Sequence, residues 1–417
     1  MNQTYLPRGQ RNKRSIVAAT GLLALAGVLG LTMLAGPAEA AKRKKRGVVV
    51  KTMTRNVYLG SSLQAGLSAP SLQALCDGAR EIFEDVTSTN PPARMRAIAN
   101  EILKKKPDLV GLQELAAWYV QSPGDGRPPE FFGGGTLATN ARYDLLRLIM
   151  NRLNKGKKRY KVVRVQNEFE FEAELDLDGN NGTDGPAPDC TDAEADGRML
   201  IRDAIIKRVR VGVRTSKPSS GNYVNQRALH VAGIPFPVKR GWQSVNARVR
   251  GSKPFRFVNT HLESFDDHPT QNDMFNTQTG TTTAVSRGTI RKTQATELVG
   301  PGGPARSKGP VILVGDLNSN VPPVQSGDEQ AFQAVLAAGF KRRSTQRPPS
   351  CCIVDPSSTL TGGSLADFDH VVDHILANKK RIKRVASSVT GRAKVADGRW
   401  PSDHAGVFSA LRVPRKR

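Results

Sequence analysis

Residues 311–320 read VILVGDLNSN. Four apolar residues, Val311 to Val314, run without a break and are enriched in β-branched types, which suits a strand buried on both faces. Gly315 breaks the run, and Asp316 and Asn318 follow, separated by one residue. In extended chain that spacing puts both side chains on the same side. A rigid buried strand would thus carry two hard oxygen-bearing groups to its exposed end, where a hydrated cation or a phosphate can sit. Read alone, the stretch is also a strand closed by an Asx-type turn. The rest of the chain decides between the two.

Working outward, the same pattern recurs. Strands are expected at Gly47–Thr54, with Asn56 just past the end, and at Asp108–Leu115, which carries Gln113 and Glu114. Trp242–Val249 and Phe255–Thr260 read as an antiparallel pair joined through Gly251-Ser252, the second running into His261 and Glu263. Val371–Leu376 carries Asp373 and His374, and a loop with Asp403 and His404 precedes a last strand, Gly406–Val413. Strands are also read at Tyr160–Gln166 and Arg202–Val213, the latter hairpinned through Ser216–Gly221. Helical spacing marks Ala93–Leu103 and Tyr143–Leu153; Thr289–Val299 and Glu329–Ala338 are also expected as helices, while Gln121–Asn140 is a Gly- and Pro-rich loop. Mixed strands and helices without a domain-sized linker indicate one layered α/β (α+β) domain over residues 48–413.

The chain has 417 residues, 38% hydrophobic and 24% charged, which are globular values that exclude wholesale disorder. A net charge of +25 implies a polyanionic partner, nucleic acid above all, with an anionic lipid surface as the other candidate. Nothing implies a stable protein partner, and a monomer is expected. Arg8, Arg11, Lys13 and Arg14 precede a nearly apolar run, Ile16–Leu34, and then Ala38-Glu39-Ala40. That is the layout of an export signal cut after Ala40, so residues 1–40 are read as a signal peptide and the chain as secreted, or membrane-anchored if uncleaved. Residues 41–47 form a basic arm and 414–417 a basic tail. Four cysteines (Cys76, Cys190, Cys351, Cys352) in an exported chain argue for disulfides. Because a ring between adjacent residues is tight, Cys351 and Cys352 are each expected to pair with a distant partner. From Glu168 to Asp196 there are eleven carboxylates and no Lys or Arg. This segment, about 168–198, reads as a solvated acidic insertion tethered by Cys190. Its centre, Asp176–Asp184, is calcium-loop-like in composition but lacks the spacing.

The polar residues gathered at strand ends are Asn56, Glu114, His261, Asp316, Asn318, Asp373, Asp403 and His404. Burying such groups separately costs a few kcal/mol each, so one shared site at a sheet edge explains them best. Carboxylates with a carboxamide suit Mg²⁺ or Mn²⁺, with Ca²⁺ a third candidate. Histidines add proton transfer near neutral pH.

In order along the chain stand TRNV (Thr54–Val57), LVGLQEL (Leu109–Leu115), RDAIIKR (Arg202–Arg208), VNTHLE (Val258–Glu263), VILVGDLNS (Val311–Ser319), VVDHILAN (Val371–Asn378) and SDHAGV (Ser402–Val407). In these motifs the sequence resembles the endonuclease/exonuclease/phosphatase superfamily. The resemblance implies a four-layer sandwich, two mixed β-sheets face to face with helices outside. It implies a divalent-metal-dependent phosphodiesterase in which Glu114 holds the metal, assisted by Asn56 and Asp403. Asp316 and Asn318 would orient the attacking water and the phosphate, and His404 would be the general base held by Asp373. His261 would assist the leaving oxygen, with Asp203 supporting it. His370 and His374 are read as packing or surface residues, as are His230 and His268. Export and charge favour a nuclease acting on DNA or RNA. The alternatives are a phospholipase C-type or sphingomyelinase-like enzyme, an inositol-polyphosphate phosphatase, and a binding protein that kept the fold without catalysis.

Overall fold

The computed structural model describes residues 47–128, 131, 133–177, 194–209, 212–231, 234–267, 272–322, 328–345, 347–355, 357–379 and 381–416. The expected signal peptide, nearly all of the basic arm, Cys190, His268 and most of the calcium-like stretch lie outside these residues. In chain order the elements begin with β1 (Val48–Asn56), α1 (Gln64–Leu67), α2 (Leu72–Ser88), α3 (Pro91–Lys105), β2 (Leu109–Gln113), β3 (Ala117–Gln121) and β4 (Ala141–Asp144). They continue with α4 (Leu145–Asn154), β5 (Tyr160–Leu175), β6 (Ala195–Arg208), β7 (Arg214–Asn222), β8 (Asn225–Val231), β9 (Ile234–Val238), β10 (Gly241–Arg248) and β11 (Phe255–His261). The last are β12 (Asn272–Asn276), β13 (Thr281–Val285), α5 (Thr289–Val299), β14 (Val311–Asp316), α6 (Gln330–Ala337), β15 (Lys341–Arg342), β16 (Asp373–Ala377), β17 (Lys383–Thr390) and β18 (Gly406–Val413). No helix of the described residues is long and apolar enough to cross a membrane.

Two sheets form the body. The first runs β17-β18-β1-β2-β6-β3-β4 with β5 on β6, and the second runs β15-β16-β14-β11-β10-β7. Their strands are apolar on both faces because both faces are covered. Along β14, Ile312 and Val314 face the first sheet, meeting Val50, Leu109 and Leu411, while Val311 and Leu313 face α5 and α6. Along β2, Leu109 joins that central layer, whereas Val110 and Leu112 turn to Met95, Ile98 and Ile102 of α3 and Ile149 of α4. Helices, sheet, sheet, helices: the four-layer sandwich is present, held by period-two alternation inside continuous apolar runs.

Gly111 sits where the sheets approach. A Cβ there would collide with the Asn259 side chain and Val314 Cγ2. The space admits a buried amide chain across the layers: Gln113 Nε2 donates to Asn259 Oδ1 at 2.6 Å and Asn259 Nδ2 to Gln243 Oε1 at 2.6 Å.

Three sequence expectations need correction. The acidic stretch is not an excursion beginning at Glu168. Residues 168–175 complete β5, and β6 begins at Ala195. Its carboxylates are spread by alternation and each described one finds a partner: Glu174 meets Arg127 at 2.9 Å, Glu170 meets Arg198 at 3.5 Å, and Glu172 accepts from Ala138 N at 2.9 Å. Secondly, Ser216–Gly221 is no hairpin turn. It lies inside β7, a polar edge strand registered by β10. A third, four-stranded sheet, β13-β12-β8-β9, was not anticipated. Finally, Cys351 and Cys352 are joined to each other. Backbone bonds between Cys351 and His370 (3.1 and 2.8 Å) fix the pair on the cleft wall, while Cys76 has its own disulfide.

Candidate active site

Strand register assembles the site. β1 and β2 are parallel neighbours that pair Asn56 with Gln113, so Asn56 and Glu114 leave the first sheet at the same edge. In the second sheet β11 is parallel to β14, pairing His261 with Asp316, and antiparallel β16 pairs Asp316 with Asp373. Three candidate residues therefore stand abreast across three strands. The loop before β18 brings Asp403 and His404 over them. Ser402 Oγ ties this loop to the carbonyl of Asn56 at 3.0 Å, and the buried Arg55 donates to the carbonyl of His404.

The side chains interlock. Asn56 Nδ2 donates to Glu114 Oε1 at 2.8 Å and to Asp316 Oδ2 at 3.1 Å, and its Oδ1 accepts from Tyr58 N at 3.0 Å. An amide facing two carboxylates must present its nitrogen. Asn56 thus aligns Glu114 and Asp316 instead of offering an oxygen to a metal, contrary to the role the resemblance implied. Glu114 adopts φ 58°, a left-handed conformation costly for a non-glycine residue, as occurs at functional sites. Asp203 Oδ1 holds the strained turn by accepting from Glu114 N at 3.2 Å. Asp203 lies well inside β6 and supports Glu114, not His261. That expectation fails because the second acceptor position of His261 is already filled by another residue.

That residue is Arg240, which the sequence reading missed. Its Nη1 lies 3.1 Å from His261 Nδ1, and its Nη2 donates to Ser264 Oγ at 2.8 Å. Guanidinium has no acceptor, so His261 Nδ1 is the lone-pair nitrogen and Nε2 carries the hydrogen. Nε2 has no hydrogen-bond partner and stands 3.9 Å from Glu114 Oε1 and 3.8 Å from Asp316 Oδ2. Burial, then the charge of Arg240, press the His261 pKa well below the ordinary value. His261 is a neutral donor aimed into the cleft. Only the tertiary fold pairs residues 240 and 261 in this way, although the cross-strand step from β10 to β11 is short.

His404 has the opposite surroundings. Its Nδ1 lies 2.9 Å from Asp373 Oδ2 and its Nε2 3.6 Å from Asp316 Oδ2. Burial alone would lower its pKa, but Asp373, Asp316 and Asp403 together raise it well above the ordinary value. Asn318, at φ 45°, donates Nδ2 to the carbonyl of Leu262 at 2.9 Å, and its backbone N donates to Asp316 Oδ1 at 2.8 Å. Glu114, Asn318, Asp403, His404 and Arg240 line one open cleft of ≈ 250 Å³ with Tyr58 and Phe169. His374 turns away: its Nε2 bonds the Ser319 carbonyl at 3.0 Å and its ring stacks on Phe332. His370 is exposed beside Asp369, and His230 lies in β8 of the third sheet, so these three are packing or surface residues.

A divalent cation fits this set. Burial, then Asp403, raise the Glu114 pKa, and burial also raises that of Asp316. The buried Asp373 Oδ1 has no hydrogen-bond partner. Hard carboxylates crowded in this way are an incomplete electrostatic set that a cation completes. Glu114 and Asp403 would hold the ion, with Asp316 beside them. Bound there, it would act as a Lewis acid on a phosphoryl oxygen. The chain's own residues supply the rest: Asn318 and Asp316 position what lies at the end of β14, His261 Nε2–H donates to developing negative charge, and Asp373 fixes the His404 ring with Nε2 toward the cleft.

Residues 232–404 match the model of the Endonuclease/Exonuclease/phosphatase family. Over that segment the chain is similar to this family, whose members are hydrolytic phosphoesterases. The family recognised in the motifs is the family found. Asn56, Glu114 and Asp203 precede the matched segment and reach the site through the fold. Solved structures similar to the chain include an endonuclease/exonuclease/phosphatase family protein from Leptotrichia buccalis, at 13% identity, covering 87% of this chain and 99% of that one, TM-score 0.46. A mannosyl-6-phosphatase from Bacteroides thetaiotaomicron is similar at 13% identity over 87% and 99%, TM-score 0.45. D. rerio TDP2 complexed with single strand DNA product is similar at 14% identity over 87% and 98%, TM-score 0.45. No curated protein matches the chain.

Proposed function

We propose that the chain is a secreted, divalent-metal-dependent phosphodiesterase that cleaves nucleic acid. The observation that carries the chemistry is the convergence of Glu114, Asp316, Asp373, His261 and His404 on one cleft, with the two histidines in opposite electrostatic surroundings. The net charge of +25 supports a polyanionic substrate, since contacts from Lys and Arg to phosphate dominate nonspecific nucleic-acid affinity. The leader-like residues 1–40 support export, and a monomer with Mg²⁺ or Mn²⁺ in use completes the reading.

A second reading has a specific observation behind it. A small apolar pocket of ≈ 60 Å³, lined by Leu75, Ile82, Phe83, Trp118, Phe171 and Met199, shares Leu63, Leu67 and Phe169 with the catalytic cleft. An apolar surface beside the cleft suits contact with the acyl part of a phospholipid diester. The deciding experiment assays the purified protein with Mg²⁺, Mn²⁺ and Ca²⁺ on plasmid DNA, RNA, sphingomyelin and phosphoinositides in parallel, alongside Glu114→Gln. Metal-dependent cleavage of DNA or RNA supports the first reading and lipid turnover the second. Full activity in a chelator, or in folded Glu114→Gln, would end both.

A further inference from the structure

The catalytic histidine has neighbours that phosphoester chemistry does not need. Cys351 Sγ lies 3.6 Å and Cys352 Sγ 3.8 Å from His404 Nε2. These are soft, redox-active atoms beside the nitrogen that faces the reaction. Cys351 is buried and Cys352 lines the cleft, so one sulfur is sheltered and the other reachable. We propose that Cys351, Cys352 and His404 form a redox-gated site for a soft divalent cation such as Zn²⁺, closed as the disulfide and opened by reduction. As regulation of the active site, this rests on His404 serving catalysis; as a cation site, it does not.

Two observations fit it. First, an ion about 2.3 Å from sulfur and about 2.0 Å from imidazole nitrogen, at a tetrahedral angle, separates the two donors by about 3.5 Å. The sulfur–nitrogen distances, 3.6 and 3.8 Å, are already of that size. Second, His404 Nδ1 is engaged by Asp373 Oδ2 at 2.9 Å, the carboxylate–histidine arrangement that turns the other nitrogen's lone pair to a metal. The ring is thus preset, and only the sulfurs must part.

The chemistry balances with a dithiol reductant. The reductant gives two electrons and two protons, the S–S bond breaks, and the reductant leaves as its own disulfide. Each thiol then releases its proton as the cation binds, and Nε2 supplies a lone pair. With that lone pair taken, His404 cannot accept a proton from water. In the oxidised protein the sulfurs are thioether-like and hold no such ion, leaving Nε2 to the reaction.

The test uses the full chain, oxidised or treated with a dithiol reductant that is then removed, and titrated with Co²⁺. The reduced protein is expected to develop the near-ultraviolet thiolate-to-cobalt absorption, and the oxidised protein none. The double variant Cys351→Ser, Cys352→Ser retains Cys76, so any signal from that cysteine persists in it, while the signal of this site disappears. Should that variant fold poorly, alkylation of the reduced chain with iodoacetamide serves as the second route. Asp373→Asn should weaken Co²⁺ binding by about 10–100-fold while leaving the thiols titratable. In parallel, Zn²⁺ added over saturating Mg²⁺ should abolish most turnover of the reduced protein and spare the oxidised one. Absence of the cobalt band after reduction, or an equal band in the double variant, overturns the site even if the protein is an active phosphodiesterase. A band without turnover on any substrate would keep the site and reject the function.

Discussion

The two sides of the cleft hold the same residue in opposite states. His261 and His404 are both buried, and burial alone pushes both toward the neutral form. On one side stands a guanidinium, Arg240, and the pKa of His261 falls further. On the other stand Asp373, Asp316 and Asp403, and they overturn the burial effect at His404. The sign of the nearest charge, not the depth of burial, decides which ring carries the extra proton. Such a pair, pushed apart by environment, is how one site separates a proton acceptor from a fixed donor. A cation near Glu114 and Asp403 would offset the charges that hold the proton on His404, so base and metal would become available together.

Removing His404 breaks the comparison most completely. His404→Ala should lower turnover by about 10²–10⁴-fold with the fold intact by circular dichroism. Near-normal turnover in that variant would sink the mechanism. Adding His261→Ala should cost far less than the product of the single losses, since both rings serve one transition state.

Asp373→Asn attacks the cause of the His404 state. Damage should again be severe, smaller only because the ring remains. Because Asp373 raises the His404 pKa, a base that must be unprotonated should give activity rising with pH. Losing that charge should shift the limb toward acid. An unmoved pH profile would show that Asp373 does not set the proton affinity of His404.

On the other side, Arg240→Met removes the charge that depresses His261 and the donor to Nδ1. The His261 pKa should rise toward its ordinary value, visible as a new imidazole titration by NMR. Turnover should fall on the order of tenfold, equivalent to about 1.4 kcal/mol of transition-state stabilisation.

His374 sharpens the contrast as a buried ring with no strong charge partner. Burial lowers its pKa to about 4. The unfolded chain protonates near 6.5, so this residue's contribution to stability is present above that pH and drains away as pH falls toward 4, by a few kcal/mol in all. His374→Leu should flatten the acid limb of thermal stability while leaving the pH profile of turnover in place. His370→Ala, at the exposed rim, should change stability by no more than about 0.5 kcal/mol and turnover hardly at all.

Much of the site was legible because it hangs on strongly patterned strands. Thr289–Val299 and Gly406–Val413 are legible with their observed bounds, and the chemistry-bearing residues sit one or two positions past apolar strand runs. What escaped depends on contacts between distant segments. β7 reads RTSKPSSGN and has no apolar alternation to detect, being an edge strand ordered by its neighbour. Arg240 looks like any loop cation until β10 folds back on β11. Asp203 accepts from Glu114 N and not from His261, because which of two nearby groups a carboxylate serves depends on ångström-scale placement. The pairing of Cys351 with Cys352 was rejected on ring size, and the cleft wall that fixes both residues leaves no trace in local sequence.

The narrow gap at Gly111 gives the site a ruler. Glu114 hangs from the first sheet, and His261, Asp316 and Asp373 from the second, so the working distance between the halves is the spacing between two sheets. That spacing is set where a missing side chain lets the amides of Gln113 and Asn259 meet. One added methyl at position 111 would act as a shim, changing the reach from carboxylate to imidazole without touching either. Geometry that seems to belong to the catalytic residues is gauged three positions upstream, by an absent carbon.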